Sequence, residues 1–383
     1  MWDRESAGGA TFFPGFKSKL PTIRDGGNEM IDFDSLRARL RQAVADEREN
    51  DWPVKSLAVL AEAGCWGHAV AKTHGGAGAT PIDQLRTYEV VASASLTDAL
   101  ILTQHDGACE LLGDCDNAEL AARLLPEFAS GEALTTVGIS QLTTSRRGAG
   151  PAMTVVTEGN DYLLTGVMPW VTSAKYADHI VTGGVLDDGL QVLACVPTGG
   201  RGLVVCEPME LMALTGSYTS EVRCEGLRVP RDQVMRGPTG RVLALRAAAK
   251  PLSVSAVGIG VAGAILDAFS DKMKSLRGAD GILNGDIPSA YQSVRARLYD
   301  AADVLHDPQA EIPSMEIRVA VNDLVVRLAV TLMTLAKGSG YLADRPAARL
   351  LRETMFFLVW SAPPAVQTGT LRALWDGYLR SES

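Results

Sequence analysis

The spacing of hydrophobic residues changes twice along the chain. From about Asp32 to Ser130 apolar residues recur at helical spacing, as in "PVKSLAVLAEAG" and "DALILTQHDGACELL". From about Glu132 to Val234 short β-branched runs are separated by glycines, and "TEGNDY" and "LDDGLQ" are typical hairpin turns. From about Arg241 onward helical spacing returns. This order excludes a doubly wound α/β sheet, in which strands and helices alternate.

These changes predict an α+β multidomain protein. We divide it into residues 1–31, a flexible leader; 32–131, an N-terminal helical domain; 132–236, a middle β-domain; and 237–383, a C-terminal helical bundle. The leader has no continuous apolar segment, so no signal peptide is expected. The longest apolar run, from Pro251 to Leu266, is shorter than the roughly 20 residues of a membrane span. We therefore expect a cytoplasmic protein without membrane contact.

Composition removes further classes of function. The net charge of −9 argues against nucleic acid as a partner, because binding it requires a basic face. The six cysteines and five histidines lack metal-ligand spacing, which predicts reduced thiols and no metal site. No GxGxxG follows a strand and opens a helix, so the usual dinucleotide fingerprint is absent from the sequence.

One predicted strand, "LLTGVMPWVTSAKYADHIV", carries Trp170 two residues before Thr172. Side chains two residues apart point to the same side of a strand. A flat hydrophobe beside a hydroxyl suits the edge of an aromatic cofactor, and it suits the core of a β-domain as well. The strand alone leaves both interpretations open.

Four segments, taken in order, resemble the acyl-CoA dehydrogenase family: "PVKSLAVLAEAGCWGHAVAKTHGGAG", "LLPEFASGEALTTVGIS", "GVMPWVTSAKYADHIV" and "TGSYTSEVRCEGLRVPRDQVM". The resemblance spans about Asp32 to the C-terminus. It implies an N-terminal helical domain, a middle β-domain and a C-terminal four-helix bundle, with a flavin between them. The family resemblance implies FAD, and FMN is the alternative.

The resemblance also implies roles for individual residues. Trp170 and Thr172 would lie against the flavin ring, with the Val171 backbone between them, and Ile139 and Ser140 would offer donors to its pyrimidine edge. Later positions that match the family's phosphate and nucleotide contacts form a second set: Arg277, Gly338 and Gly340. A solvated loop explains that arginine equally well, and the two glycines equally well end a helix.

The family's catalytic carboxylate is missing from both of its usual places. Counting from the Arg352–Glu353 pair puts Ser361 where most members have a glutamate base, and a serine hydroxyl is not basic at neutral pH. The alternative base position on the first long bundle helix holds Lys250, followed by Pro251 in place of an arginine. The family's acidic segment is altered too, with Gln141 in place of its glutamate.

Three functions agree with these observations. The first is a flavin oxidoreductase that acts on an acyl or carrier-bound small molecule and is not a standard fatty acyl-CoA dehydrogenase. The second is a flavin-dependent monooxygenase of the same fold, for which His105 is a candidate general acid and a structural polar residue is the alternative. The third is a non-catalytic subunit of a hetero-oligomer. Bundles of this kind assemble, so a homodimer or homotetramer is expected.

Overall fold

The computed structural model describes residues 31–143, 150–243, 250–270, 282–307 and 309–380. Helices come first, a mixed β-sheet follows and helices return, as the hydrophobic pattern predicts. The predicted fold class is confirmed. The change from helix to strand falls between Ala129 and Thr135, and the change back falls between Thr239 and Lys250.

Side-chain caps define where the N-terminal helices begin. The Asp32 carboxylate accepts from two backbone N–H groups of the first turn, and Ser95 caps the long central helix through the N–H of Asp98. Each cap satisfies a donor that the helix itself leaves unpaired. The helices are α1 (Phe33–Ala45), α2 (Val54–Glu62), α3 (Pro81–Ala94), α4 (Leu96–Gly113) and α5 (Ala118–Ala129).

The middle region forms one eight-stranded sheet in the order β6-β7-β3-β2-β4-β5-β8, with β1 paired parallel to β4. Its long strand β3 pairs with β2 and β7 in antiparallel fashion and holds the centre of one half. The elements are β1 (Thr135–Gly138), the short helix α6 (Ser140–Thr143), β2 (Met153–Glu158), β3 (Asp161–Val171), β4 (His179–Val185), β5 (Gln191–Pro197), β6 (Leu203–Pro208), β7 (Ser220–Val229) and β8 (Val234–Thr239).

Five α-helices of the C-terminal region lie in the described part of the chain. Four are long, and the short α10 packs on both α7 and α9. The helices are α7 (Lys250–Ser270), α8 (Ile287–Asp303), α9 (Ser314–Ala336), α10 (Pro346–Met355) and α11 (Pro364–Arg380).

The N-terminal and C-terminal helices share one hydrophobic core. A single cluster of buried side chains runs from Leu36 to Trp360 and includes both sets of helices. At the α3–α7 contact the backbones come close: a Cβ at Gly260 would lie 2.2 Å from the carbonyl oxygen of Glu89. Only a glycine permits this approach, so the two helical regions are held as one packed body.

Two described helical segments are long and apolar enough to cross a membrane by length and composition: Leu252–Phe269 and Ser314–Tyr341. The length argument from the sequence was wrong for the first, because α7 continues past Leu266 to Ser270. The segments are 61% and 50% buried inside the protein, and α7 packs against α9. Both features are typical of core helices in a helical bundle.

Candidate functional site

The C-terminal ends of β1 and β3 meet at one place. The Thr136 hydroxyl donates to the backbone carbonyl of Thr172 over 2.8 Å. A Cβ at Gly138 would lie 2.5 Å from the Met168 sulfur and 3.1 Å from Cγ2 of Val171. The missing side chain of Gly138 therefore lets the two strand ends touch. The fold thus brings together the two segments that the sequence assigned separately to a flavin.

Trp170 is not a core residue, since 57% of its surface is exposed. Thr172 and Val171, by contrast, are both buried, at 8% and 0% exposure. Trp170 and Thr172 therefore differ in burial, although regular alternation would put both side chains on one side of the strand. The ladder between β3 and β7 is irregular between Met168 and Val171, and such irregularities re-aim side chains. An uncovered indole is therefore followed, two residues later, by a buried hydroxyl.

A chain of buried hydroxyl groups leads to Thr172 from the segment just before the neighbouring strand β7. Thr219 Oγ1 donates to Thr172 Oγ1 over 3.4 Å, and Ser217 Oγ lies 2.9 Å from Thr219 Oγ1. The sequence analysis missed both residues as parts of the site. Their signal is the alternation of hydroxyls in "TGSYTSEV", because positions two apart near a strand start face one side.

The structure explains why glutamine replaces the family's glutamate. The amide nitrogen of Gln141 donates to the carbonyls of Gly138 and Gly183, and to the Thr182 hydroxyl, over 2.8–3.1 Å. The Thr182 hydroxyl itself donates to the same Gly138 carbonyl. An ionised carboxylate has no proton to give these carbonyls. Gln141 thus fixes the turn immediately after β1.

Ile139 and Ser140 lie in that turn, and both are half-buried. The Ile139 carbonyl accepts from the N–H of Leu142 at the start of the short helix α6. The turn is held from inside by Gln141 and follows the Gly138 contact with β3. The predicted cofactor residues of β1 and β3 therefore lie side by side.

The later predicted nucleotide contacts divide three ways. Gly340 is buried, and a Cβ there would lie 2.6 Å from the Ala336 side chain, so packing within the chain accounts for this glycine. Gly338 is exposed with open space beside it, just after α9 ends at Ala336. Arg277 lies outside the described residues. A nucleotide contact at either glycine stays a prediction.

Ser361 follows the short turn after α10. It is exposed, and its backbone has a φ of 44°, a left-handed conformation that is unusual for serine. The carbonyls of Phe357 and Trp360, just before it, both accept from the buried guanidinium of Arg318. Burial lowers the pKa of Arg318 to about 10. Lys250 and Pro251 open helix α7.

His105 does not have the surroundings of a general acid. Its ring is completely buried in α4, where Nδ1 accepts from the N–H of Thr135 and Nε2 lies 3.5 Å from the Cys109 sulfur. Trp66 and Phe128 pack edge-on against it. Burial lowers its pKa to about 4, so the ring is neutral near pH 7. His105 is a core residue that ties α4 to β1, and its burial favours the alternative of a structural polar residue.

Two buried carboxyl groups escaped the sequence analysis. Asp98, at the start of α4, is 0% exposed. Glu353, on α10, is 4% exposed and lies 3.9 Å from Arg349. Burial raises both pKa values to about 7, and the Glu353 charge adds to the upward shift at Asp98. The pattern Ser95-x-x-Asp98 marks only a helix start, so the sequence offered no sign of burial.

The residues at the strand ends fit a flavin ring. A flavin has a flat apolar body and polar edge atoms, and the site offers an exposed indole beside a buried hydroxyl. Thr172 Oγ1 accepts from Thr219 and donates to no other residue in the described ranges. Its proton is therefore available to an acceptor outside the described chain. Within the same ranges, no group of three His, Cys, Asp or Glu side chains could hold a metal ion.

Comparisons with known proteins show which proteins this chain resembles. The profile of the acyl-CoA dehydrogenase N-terminal domain matches residues 34–132. The probable acyl-CoA dehydrogenase YngJ of Bacillus subtilis is 22% identical over 345 residues, which is 84% of this chain and 89% of YngJ.

Two solved structures have the same fold. KijD3, in complex with FMN and dTDP-3-amino-2,3,6-trideoxy-4-keto-3-methyl-D-glucose, has a TM-score of 0.74 at 23% identity, covering 94% of this chain and 96% of KijD3. The dibenzothiophene monooxygenase TdsC from Paenibacillus sp. A11-2 has a TM-score of 0.72 at 14% identity, covering 91% and 95%. The family model matches the N-terminal domain, and curated relatives and solved structures resemble the chain over most of its length, so the chain has the fold of the acyl-CoA dehydrogenases.

Proposed function

We propose that the chain binds a flavin, FAD in preference to FMN, against Trp170 and Thr172. It then acts as a flavin-dependent oxidoreductase on an acyl or carrier-bound small molecule. The observation that carries this proposal is the indole of Trp170, 57% exposed beside a buried threonine hydroxyl whose proton has no acceptor in the described chain. An uncovered tryptophan next to an unused donor is the complement of an aromatic ring with polar edge atoms.

Each residue of the site would have a defined task. A bound flavin supplies the hydride or electron chemistry that no protein side chain can perform. Trp170 covers one face of the ring, and Thr172 donates its hydroxyl proton to the ring edge. Ile139 and Ser140 face the other part of that edge from the turn that Gln141 fixes. Donors at the edge stabilise negative charge on the ring, which favours its reduction.

The substrate is expected to differ from an ordinary straight-chain acyl-CoA. Removing a proton beside a thioester carbonyl requires a positioned base. Ser361 stands where most relatives have that base, and its hydroxyl is exposed on a left-handed backbone. Losing a positioned general base costs about 10²–10⁴-fold in rate. Desaturation of fatty acyl-CoA should therefore be slow or absent.

A second candidate is a flavin-dependent monooxygenase. The missing carboxylate at Ser361 favours it, because that reaction needs no base at a substrate α-carbon. One structural neighbour, TdsC, is a dibenzothiophene monooxygenase, and another, KijD3, is in complex with FMN and an amino-sugar nucleotide. A small nucleotide-linked or carrier-linked substrate agrees with both candidates.

We further propose that the protein is a cytoplasmic homodimer or homotetramer. Exposed apolar side chains on α9 and α11 support self-association: Val330, Leu371 and Trp375 are 53%, 60% and 55% exposed. Patches of this kind are typical of subunit contacts. Light scattering at micromolar concentration tests the proposal, and a monomer would contradict it.

The visible absorption spectrum of the purified protein, before and after FAD or FMN is added, tests the function. Flavin bands that persist through desalting support the proposal, and mass analysis of the released cofactor identifies it. Anaerobic mixing with acyl-CoA substrates then separates the candidates. Bleaching indicates a dehydrogenase, whereas oxygen uptake with reduced flavin and product formation indicate a monooxygenase. Complete absence of flavin binding would leave the non-catalytic subunit.

A further inference from the structure

We propose that Thr219 is a positioning residue that directs the Thr172 hydroxyl proton out of the protein and onto the flavin, with Ser217 behind it as the first donor. The inference rests on the proposed flavin site. It adds two residues, from the 3₁₀ turn Thr215–Ser217 and from the loop before β7, to a site otherwise built from β1 and β3.

The hydroxyl groups of these residues form a continuous buried path. Ser217 is 0% exposed, Thr219 is 6% exposed and Thr172 is 8% exposed. Ser217 Oγ lies 2.9 Å from Thr219 Oγ1, which donates to Thr172 Oγ1 over 3.4 Å. Water cannot easily replace these contacts, because none of the three side chains is open to solvent. Each group depends on its neighbour for a partner.

The path has one direction. A hydroxyl carries one proton, so Thr219 cannot donate to both of its neighbours. Since its proton goes to Thr172, the contact with Ser217 must have Ser217 as the donor. By the same reasoning Thr172, having accepted a proton from Thr219, turns its own proton elsewhere. The chain therefore runs from Ser217 through Thr219 to Thr172 and ends on an outward donor.

The backbone of Thr172 is held independently. Its carbonyl accepts from the Thr136 hydroxyl over 2.8 Å. Thr172 comes directly after the irregular end of β3. The backbone contact fixes where the hydroxyl lies, and the Thr219 contact fixes which way its proton points. Removing Thr219 Oγ1 should therefore leave the position of Thr172 intact and release only the orientation of its proton.

The test compares single and double variants of the full-length protein. Thr219→Val removes the hydroxyl and keeps the shape, and Thr219→Ser restores it. Ser220→Ala is the matched control, because Ser220 is also buried but its hydroxyl has no partner in the described structure. The readouts are the dissociation constant for added FAD or FMN, the visible absorption maximum and the reduction midpoint potential of the bound flavin. Circular dichroism checks the fold of every variant.

Thr219→Val should weaken flavin binding roughly 2- to 5-fold, at the low end of a neutral hydrogen bond because the 3.4 Å contact is long. It should also make the midpoint potential more negative. Thr172→Val should have a larger effect of the same sign, and the double variant should match Thr172→Val alone. Thr219→Ser and Ser220→Ala should behave like the unmodified protein.

Two results would overturn the inference, and they are distinguishable. If the unmodified protein binds flavin and Thr219→Val changes none of the three readouts, or if its effect adds fully to that of Thr172→Val, the positioning role is wrong and the flavin site stands. If the unmodified protein binds neither FAD nor FMN, the proposed function itself is wrong.

Discussion

The guanidinium of Arg318 lies beneath the segment that ends in Trp360 and donates to the Trp360 carbonyl over 2.9 Å. A second bond, of 3.1 Å, reaches the Phe357 carbonyl. The Arg318 side chain is 6% exposed, and no carboxylate pairs with it in the described part of the chain. A buried cation held by carbonyls alone is uncommon. Its task is to fix the turn that places Ser361.

Arg318→Met should therefore destabilise the protein by about 2–4 kcal/mol, because two buried carbonyls lose their donor. The free energy of unfolding in urea measures the loss. Arg345→Met, at an exposed arginine, is the control and should stay within about 0.5 kcal/mol of the unmodified protein. Equal stabilities for the two variants would show that water satisfies the carbonyls.

Trp170→Ala should separate flavin binding from stability. The side chain is 57% exposed, so its removal should change the free energy of unfolding by less than about 1 kcal/mol. Flavin binding should weaken by about 1–3 kcal/mol of binding free energy, judged from the aromatic area that the complex would bury. Trp66→Ala is the contrasting variant: Trp66 is 1% exposed, and its loss should cost about 3–5 kcal/mol of stability. Unchanged flavin retention in Trp170→Ala would remove this residue from the site.

The buried pair Asp98 and Glu353 predicts a pH dependence of stability. Burial raises both pKa values in the folded protein to about 7, whereas the unfolded carboxyls ionise near pH 4. The folded state thus holds protons that the unfolded state has lost. The contribution of these groups is complete below about pH 4, and stability falls as the pH rises toward about 7.

Asp98→Asn should remove part of this slope. Its free energy of unfolding, relative to that of the unmodified protein, should rise by on the order of 1–3 kcal/mol between pH 5 and pH 8, because the amide cannot ionise. Urea unfolding at both pH values measures the change. Glu132→Gln, at an exposed position, should leave the slope as it is. A slope that survives in both Asp98→Asn and Glu353→Gln would contradict the assignment.

Ser361→Gly should stabilise the protein by about 0.5–1 kcal/mol, because glycine adopts a φ of 44° without a Cβ clash. Ser361→Glu should be less stable than the unmodified protein for the same reason. If the cavity is otherwise competent, Ser361→Glu should nevertheless accelerate anaerobic bleaching by acyl-CoA. Thermal unfolding and flavin absorbance measure the two effects separately, and rapid bleaching by the unmodified protein would point to a base elsewhere in the chain.

The sequence by itself determined the order of helices and strands, because the period of apolar positions depends only on local backbone geometry. It also carried the resemblance to the acyl-CoA dehydrogenase family, since the motifs around Trp170 and Thr172 are contiguous stretches of chain. Counting along the contiguous chain from Arg352 was also enough to find Ser361 at the position where the family usually has its base.

Only the tertiary structure decided which side chains are covered. The irregular β3–β7 pairing exposes Trp170 and buries Thr172, although regular alternation predicts one side for both. Packing against Trp66 makes His105 a neutral core residue, and Asp98 is fully buried where the distant Glu353 charge adds to its pKa shift. The burial of a side chain and the choice of its hydrogen-bond partner depend on segments that lie far apart in sequence. No local pattern encodes them, which is why the hydroxyl path from Ser217 to Thr172 emerged only from the folded chain.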